Sequence, residues 1–194
     1  KFHWYHPNIA IISGIAWDHA NIFPSEENYQ EQFAEFVKNI EPGGTLIYCQ
    51  EDEQLDKLVR ENSNEIKLFP YNTPEYSAGS EGSILHSDEG EVPLKIFGKH
   101  NIQNLEAARL VCNQLGVMDD EFYAAISNFE GASRRLEQIA DDERGVFYRD
   151  FAHAPSKVRA TVNAVREQYV DKKVIALLEL HTYSSLNPEF LPQY

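Results

Sequence analysis

Apolar positions follow two rhythms along the chain. NIAIISGI at 8–15 is a continuous, β-branched apolar run, the pattern of a strand covered on both faces. Ser25 follows as a helix N-cap, with Glu26 and Glu27 in the first turn, where the helix dipole favours negative charge. Tyr29, Phe33, Phe36, Val37 and Ile40 then recur at helical spacing, and PGG at 42–44 stops the helix. TLIYC at 45–49 is the next strand, QLDKLVREN at 54–62 a short amphipathic helix, and IKLF at 66–69 a third strand. This alternation predicts a mostly parallel sheet with covering helices, the α/β class.

The middle of the chain changes character. PYNTPEYSAGSEGS at 70–83 is turn-rich, and ILHSDEGEVPLKIFG at 84–98 reads as two strands around Asp88-Glu89-Gly90, a small antiparallel addition. Helices are predicted at 102–116 and 119–129, with EGASRR at 130–135 as a hinge. RLEQIA and GVFYRDF then read as paired strands, 154–169 as a helix with Pro155 near its start, and KVIALLEL at 173–180 as a buried strand. A second α/β domain is thus predicted to open near residue 133.

Composition narrows the partners. The chain has 194 residues, 42% of them hydrophobic, enough for one ordinary core or for one larger domain and part of a second. A formal net charge of -14 excludes a bulk basic footprint for nucleic acid, so any anionic ligand must be held by a few local cations. Cys49 and Cys112 have no metal-type spacing and read as buried thiols. No apolar stretch approaches the ~18 residues of a membrane span. The chain opens without Met and ends without a closing helix, so it is expected to be a piece of a longer protein.

Five segments carry candidate chemistry. Asp18-His19 lies just beyond the first strand, at the rim where open α/β sheets bind ligands. A carboxylate there can hold Mg²⁺, or it can cap a turn while His19 packs on Trp17 or Phe23. In GKHNIQNLEAA at 98–108, Asn101 and Asn104 share one helix face, and an Asn amide can pair with adenine. The other reading makes Asn101 an N-cap and Asn104 a surface residue. SRRLE at 133–137 offers guanidinium forks for phosphate or carboxylate, or a solvated pair. YRDFAHAP at 148–155 places Asp150 and His153 at a strand end, as a ribose acceptor or as a helix-entry turn. HTYSS at 181–185 lines a cleft or forms an exposed loop.

In this order the segments GIAWDHANIF, GKHNIQNLEAA, SRRLE and RDFAHAP resemble the Mur ligase family, ATP-dependent amide-forming enzymes of peptidoglycan synthesis. The resemblance implies that residues 1–132 are the later part of the central ATPase domain and 133–194 the first part of a Rossmann-like C-terminal domain. It implies ATP and Mg²⁺ as cofactors, with His19 helping to hold the metal. Asn104 would read adenine, with His100 and Asn101 shaping that pocket. Arg135 and Asp150 would approach the ribose and phosphates, and His153 the reacting groups. The branch it most resembles joins a tripeptide to UDP-N-acetylmuramate during recycling; L-alanine is the alternative acceptor. ATP would phosphorylate the muramate carboxylate, and the incoming amine would displace phosphate. A non-catalytic nucleotide-binding or interaction module is the alternative of another class. The resemblance further implies a bacterial cytoplasmic protein with neither nucleic-acid nor membrane partners.

The chain departs from the family pattern in places. Asn21 and Arg149 stand where acidic residues are common, and Ala154 where a second His is common. The phosphate loop G-x-x-x-x-G-K-S/T is absent from these residues and expected upstream, so the chain alone is expected to be inactive.

Overall fold

The computed structural model describes residues 2–79, 81–183, 185–186, 188 and 191–194. They form two compact units, one of Lys1–Pro74 with Gln103–Phe122 and one of Glu75–Ile102 with Tyr123–Tyr194.

The first unit is built on three parallel strands in the order β1 (Ile9–Ile12), β2 (Thr45–Cys49), β3 (Lys67–Tyr71). Alternation along the central strand divides the core. Leu46 and Tyr48 pack with residues of α1 (Glu26–Lys38) and α2 (Glu53–Asn62), including Val37, Leu55 and Val59. Ile47 and Cys49 pack on the opposite face with Ala107 of α3 (Lys99–Gln114). Every β2 residue is buried, as a strand covered on both faces requires. Ser25 caps α1 as its sequence predicts, its hydroxyl accepting from the Asn28 amide at 3.1 Å. Beyond α3, Arg109 holds Asp119 at 2.9 Å and Glu106 at 2.6 Å, fixing the start of α4 (Asp119–Ile126).

The second unit contains two antiparallel sheets. β4 (Tyr76–Ala78), β5 (Ser83–Ser87) and β6 (Gly90–Pro93) form one, with Gly90 at φ 118° closing the hairpin. The sequence anticipated the hairpin and missed the short β4. The other sheet pairs β7 (Glu137–Asp142) with β8 (Gly145–Arg149), as predicted. α5 (Pro155–Gln168) follows, with Pro at its start and Ala154 at a cap position that makes no side-chain bond. Phe97, Leu136 and Ala164 form a small core beneath these elements. Gly98, at φ 89°, lies so close to α5 that a Cβ there would come within 2.3 Å of the Ala164 Cβ.

Two expectations are overturned. β1 is not covered on both faces, since Ile11 is 43% exposed. Residues 173–180 form no strand and are largely exposed, Ile175 at 81% and Leu177 at 101%. A buried parallel strand needs hydrogen-bonding neighbours, and β7 and β8 pair only with each other among the described residues. The run instead lines one wall of a groove of about 640 Å³, opposite Tyr148 of β8 and Val165 of α5. Cys112, expected to be buried, is half-buried, whereas Cys49 is buried. Ser184, part of HTYSS, lies outside the described residues.

Candidate functional site

In the first unit the Asp-His pair sits past the carboxyl end of β1. The Asp18 side chain is buried, and its Oδ1 accepts the His19 amide at 2.7 Å. His19 adopts φ 56°, a left-handed backbone that strains a non-glycine residue. Its carbonyl accepts from the Ile22 and Phe23 amides, which closes the turn and holds that conformation. The imidazole is mostly exposed, its Nε2 3.9 Å from Asp18 Oδ2. Trp17 points its indole N–H at the Phe23 carbonyl, 3.1 Å away.

Two carboxylates that the sequence reading passed over stand at the end of β2. Asp52 caps α2 by accepting from the Leu55 amide at 3.1 Å, and its other oxygen accepts from the buried Ile15 amide at 2.8 Å. One side chain thereby ties the exit of β1 to the start of α2. Glu51 accepts from the Thr73 amide at 2.5 Å and from Gln103 Nε2 at 3.2 Å. The available signal was CQEDE at 49–53, acidic residues directly after a buried strand.

The asparagines lie on α3 as predicted, Asn101 half-buried and Asn104 exposed. Asn101 is within the first turn and not the cap. Its Nδ2 donates back to the Phe97 carbonyl at 2.8 Å, which fixes the helix entry. His100 lies beside it, with Nδ1 buried and unpartnered. Burial pulls the His100 pKa below its ordinary value, while the Asp150 charge opposes that shift.

In the second unit Arg135, Asp150 and His153 come together around one turn. Arg134 and Leu136 adopt φ 60° and 47°, so two left-handed residues flank Arg135. Asp150 Oδ2 accepts from the Leu136 amide at 2.8 Å and from the Thr161 hydroxyl at 3.3 Å; its Oδ1 accepts from the Ala152 amide at 2.5 Å. Arg135 stands over the Phe151 ring, 5.6 Å from its centroid. His153 packs edge-on against the same ring and lies 2.9 Å from the Phe151 carbonyl through Nδ1. Arg149, the departure noted in the sequence, lies opposite Glu137 across the β-ladder and pairs with it at 2.9 Å.

Among the described residues no group of three His, Cys, Asp or Glu side chains is placed to hold a metal ion. Asp18 and His19 supply one carboxylate and one imidazole, a partial donor set. A Mg²⁺ bound there would need further oxygen ligands, from water or from phosphate.

A parallel sheet with helices on both faces, and polar turns past its strand ends, belongs to the α/β proteins that bind ligands at that rim. The model of the Mur ligase middle domain matches residues 3–112, and the chain belongs to that family. It is 30% identical over 196 aligned positions to a UDP-N-acetylmuramate–L-alanine ligase of Phocaeicola vulgatus, covering 95% of this chain and 42% of that protein. The chain thus spans under half the length of this curated relative. Among solved structures, the MurF ligase of Acinetobacter baumannii superposes with a TM-score of 0.73 at 24% identity, covering 86% of this chain and 39% of that one. The MurF ligase of Thermotoga maritima in complex with ADP gives 0.70 at 16% identity, covering 83% and 39%. These likenesses bear on the fold.

Proposed function

We propose that the chain is part of an ATP-dependent ligase that forms an amide bond on the carboxylate of UDP-N-acetylmuramate. The observation that carries this reading is the family match over residues 3–112. On this reading residues 1–132 are the later part of the central ATP-binding domain and 133–194 the first part of the C-terminal domain. The protein works in the bacterial cytoplasm.

The residues divide the work by their chemistry. Asn104 offers an amide whose donor and acceptor match the adenine edge, on a helix whose start Asn101 and His100 shape. Arg135 presents a guanidinium suited to phosphate oxygens. Asp150 serves the nucleotide's ribose-phosphate end, and His153, one residue pair further on, stands toward the reacting groups. His19 helps hold Mg²⁺, which when bound supplies charge neutralisation at the phosphates. Transfer of the terminal phosphoryl group to the muramate carboxylate gives an acyl phosphate and ADP. Attack by the incoming amine then releases phosphate, and a site closed to water protects the acyl phosphate in between.

The acceptor we favour is the tripeptide L-alanyl-γ-D-glutamyl-meso-diaminopimelate, on the character of the segments around Asp18, Arg135 and Asp150. A second reading has L-alanine as acceptor, and the name of the Phocaeicola vulgatus relative favours it. The test is ADP release by the intact gene product with UDP-N-acetylmuramate, ATP and Mg²⁺. Turnover with tripeptide and not with L-alanine supports the first reading, and the reverse supports the second. No turnover with either acceptor rejects both.

A further inference from the structure

Arg135 sits at the centre of a turn that its own residues would not choose. Arg134 and Leu136 are both left-handed, and neither is glycine. Such strain persists only where surrounding structure over-determines it. Here the determinants are visible on both sides. The Asp150 carboxylate accepts from the Leu136 amide at 2.8 Å, and the Glu137 carboxylate accepts from the Arg134 amide at 2.8 Å. The Phe151 amide donates to the Arg134 carbonyl at 2.9 Å, and Leu136 is buried against Phe97 and Ala164. Both carboxylates are themselves held. Thr161 and the Ala152 amide fix Asp150, and Arg149 fixes Glu137. The Arg135 side chain is exposed, resting on Phe151, and it forms no hydrogen bond or ion pair among the described residues.

We propose that Asp150 and Glu137 are positioning residues for Arg135: each accepts the amide of a residue flanking it, and together they hold the turn that presents its guanidinium to an anionic group. The pairing also gives Arg149 a purpose, since it anchors Glu137 from the opposite strand. The inference rests on the nucleotide reading above for the identity of the anion, but the clamp itself can be tested without it.

The experiment uses the ¹⁵N-labelled intact gene product. The first readout is amide hydrogen exchange at Arg134 and Leu136, with the Arg135 Nε–Hε resonance. Asp150→Asn should speed Leu136 exchange at least tenfold, because one carboxamide oxygen cannot replace two carboxylate oxygens. Glu137→Ala should do the same at Arg134, and Glu137→Gln, which keeps an acceptor, should restore protection. Should Asp150→Asn not fold, Thr161→Val loosens the same carboxylate and should speed Leu136 exchange by a smaller factor. Unchanged exchange in Asp150→Asn and Glu137→Ala overturns the clamp. The second readout is an ATP titration followed at the Arg135 Nε–Hε resonance and at neighbouring amides. Arg135→Ala and Glu137→Ala should each weaken ATP at least fivefold, and the double variant should be within twofold of Arg135→Ala alone. Glu137→Ala weakening ATP as much without Arg135 as with it would mean that Glu137 does not act through Arg135, and would overturn the proposal. ATP binding that ignores Arg135→Ala refutes the assigned anion, and the exchange data still decide the clamp.

Discussion

Gly98→Ala should damage the second unit by an amount that Ala164→Gly partly restores. Gly98 has φ 89°, a backbone that costs an L-residue with a Cβ roughly 1–2 kcal/mol. The new methyl would come within 2.3 Å of the Ala164 Cβ, against about 3.5–4.0 Å for ordinary carbon contact. Helix α5 must retreat by more than an ångström, and overpacking of that kind costs about 1–3 kcal/mol. The single variant should therefore lose about 2–5 kcal/mol. Ala164→Gly alone should lose about 1 kcal/mol as a helix-interior glycine and about 0.8 kcal/mol as a buried methyl. In the double variant the clash disappears and the φ strain remains, so the losses should fall short of additive by about 1–3 kcal/mol. The assay must read the correct unit. Both tryptophans, Trp4 and Trp17, belong to the first unit, so fluorescence would miss the effect. Native-state hydrogen exchange of the α5 amides reports it directly. Additive losses, within about 0.5 kcal/mol, would refute the close approach of Gly98 to Ala164.

Three further outcomes follow from named contacts. Asp52→Ala removes the cap of α2 and leaves the buried Ile15 amide without its acceptor, so it should cost about 2–4 kcal/mol in tryptophan-monitored urea unfolding, and Asp52→Asn should cost less. Burial lowers the His100 pKa, so the neutral ring's stabilisation is complete above the ordinary value of 6.5 and is lost as pH falls through the depressed folded value. Exchange-detected stability of the second unit should therefore drop between pH 7 and 5, and His100→Gln should flatten that slope. Arg149→Ala breaks a partly exposed pair and should cost no more than about 1 kcal/mol, while loosening the Arg134 amide.

Periodicity was enough for much of the scaffold. TLIYC read as a strand, Ser25 and PGG bounded α1, and Asp88-Glu89-Gly90 marked a hairpin, whereas the double cover read from NIAIISGI belongs to β2 and not to β1. Each of these signals is local, so the sequence carries it within a few residues. The left-handed backbones at His19, Arg134 and Leu136 could not be read in this way. No residue type announces them, because contacts with distant groups hold two of them there: Leu136 is held by a carboxylate fourteen positions away. The same distance hid Asp52, which looks like an ordinary cap until the Ile15 amide, 37 positions earlier, is seen to share it.

The candidate residues show the limit most clearly at Asp150 and at 173–180. A carboxylate at a strand end is equally suited to a ribose hydroxyl and to backbone amides, and sequence position does not separate them. In the structure three donors have claimed it, two of them amides and one the Thr161 hydroxyl. KVIALLEL is the opposite case: its composition is that of a buried strand, yet burial depends on neighbours that no local pattern encodes. Without a strand beside it, Leu177 is fully exposed, while the shorter, more polar EQIADD, whose partner follows after a two-residue turn, is a strand. Pairing within reach of the turn, and not hydrophobicity, decided which of the two became sheet.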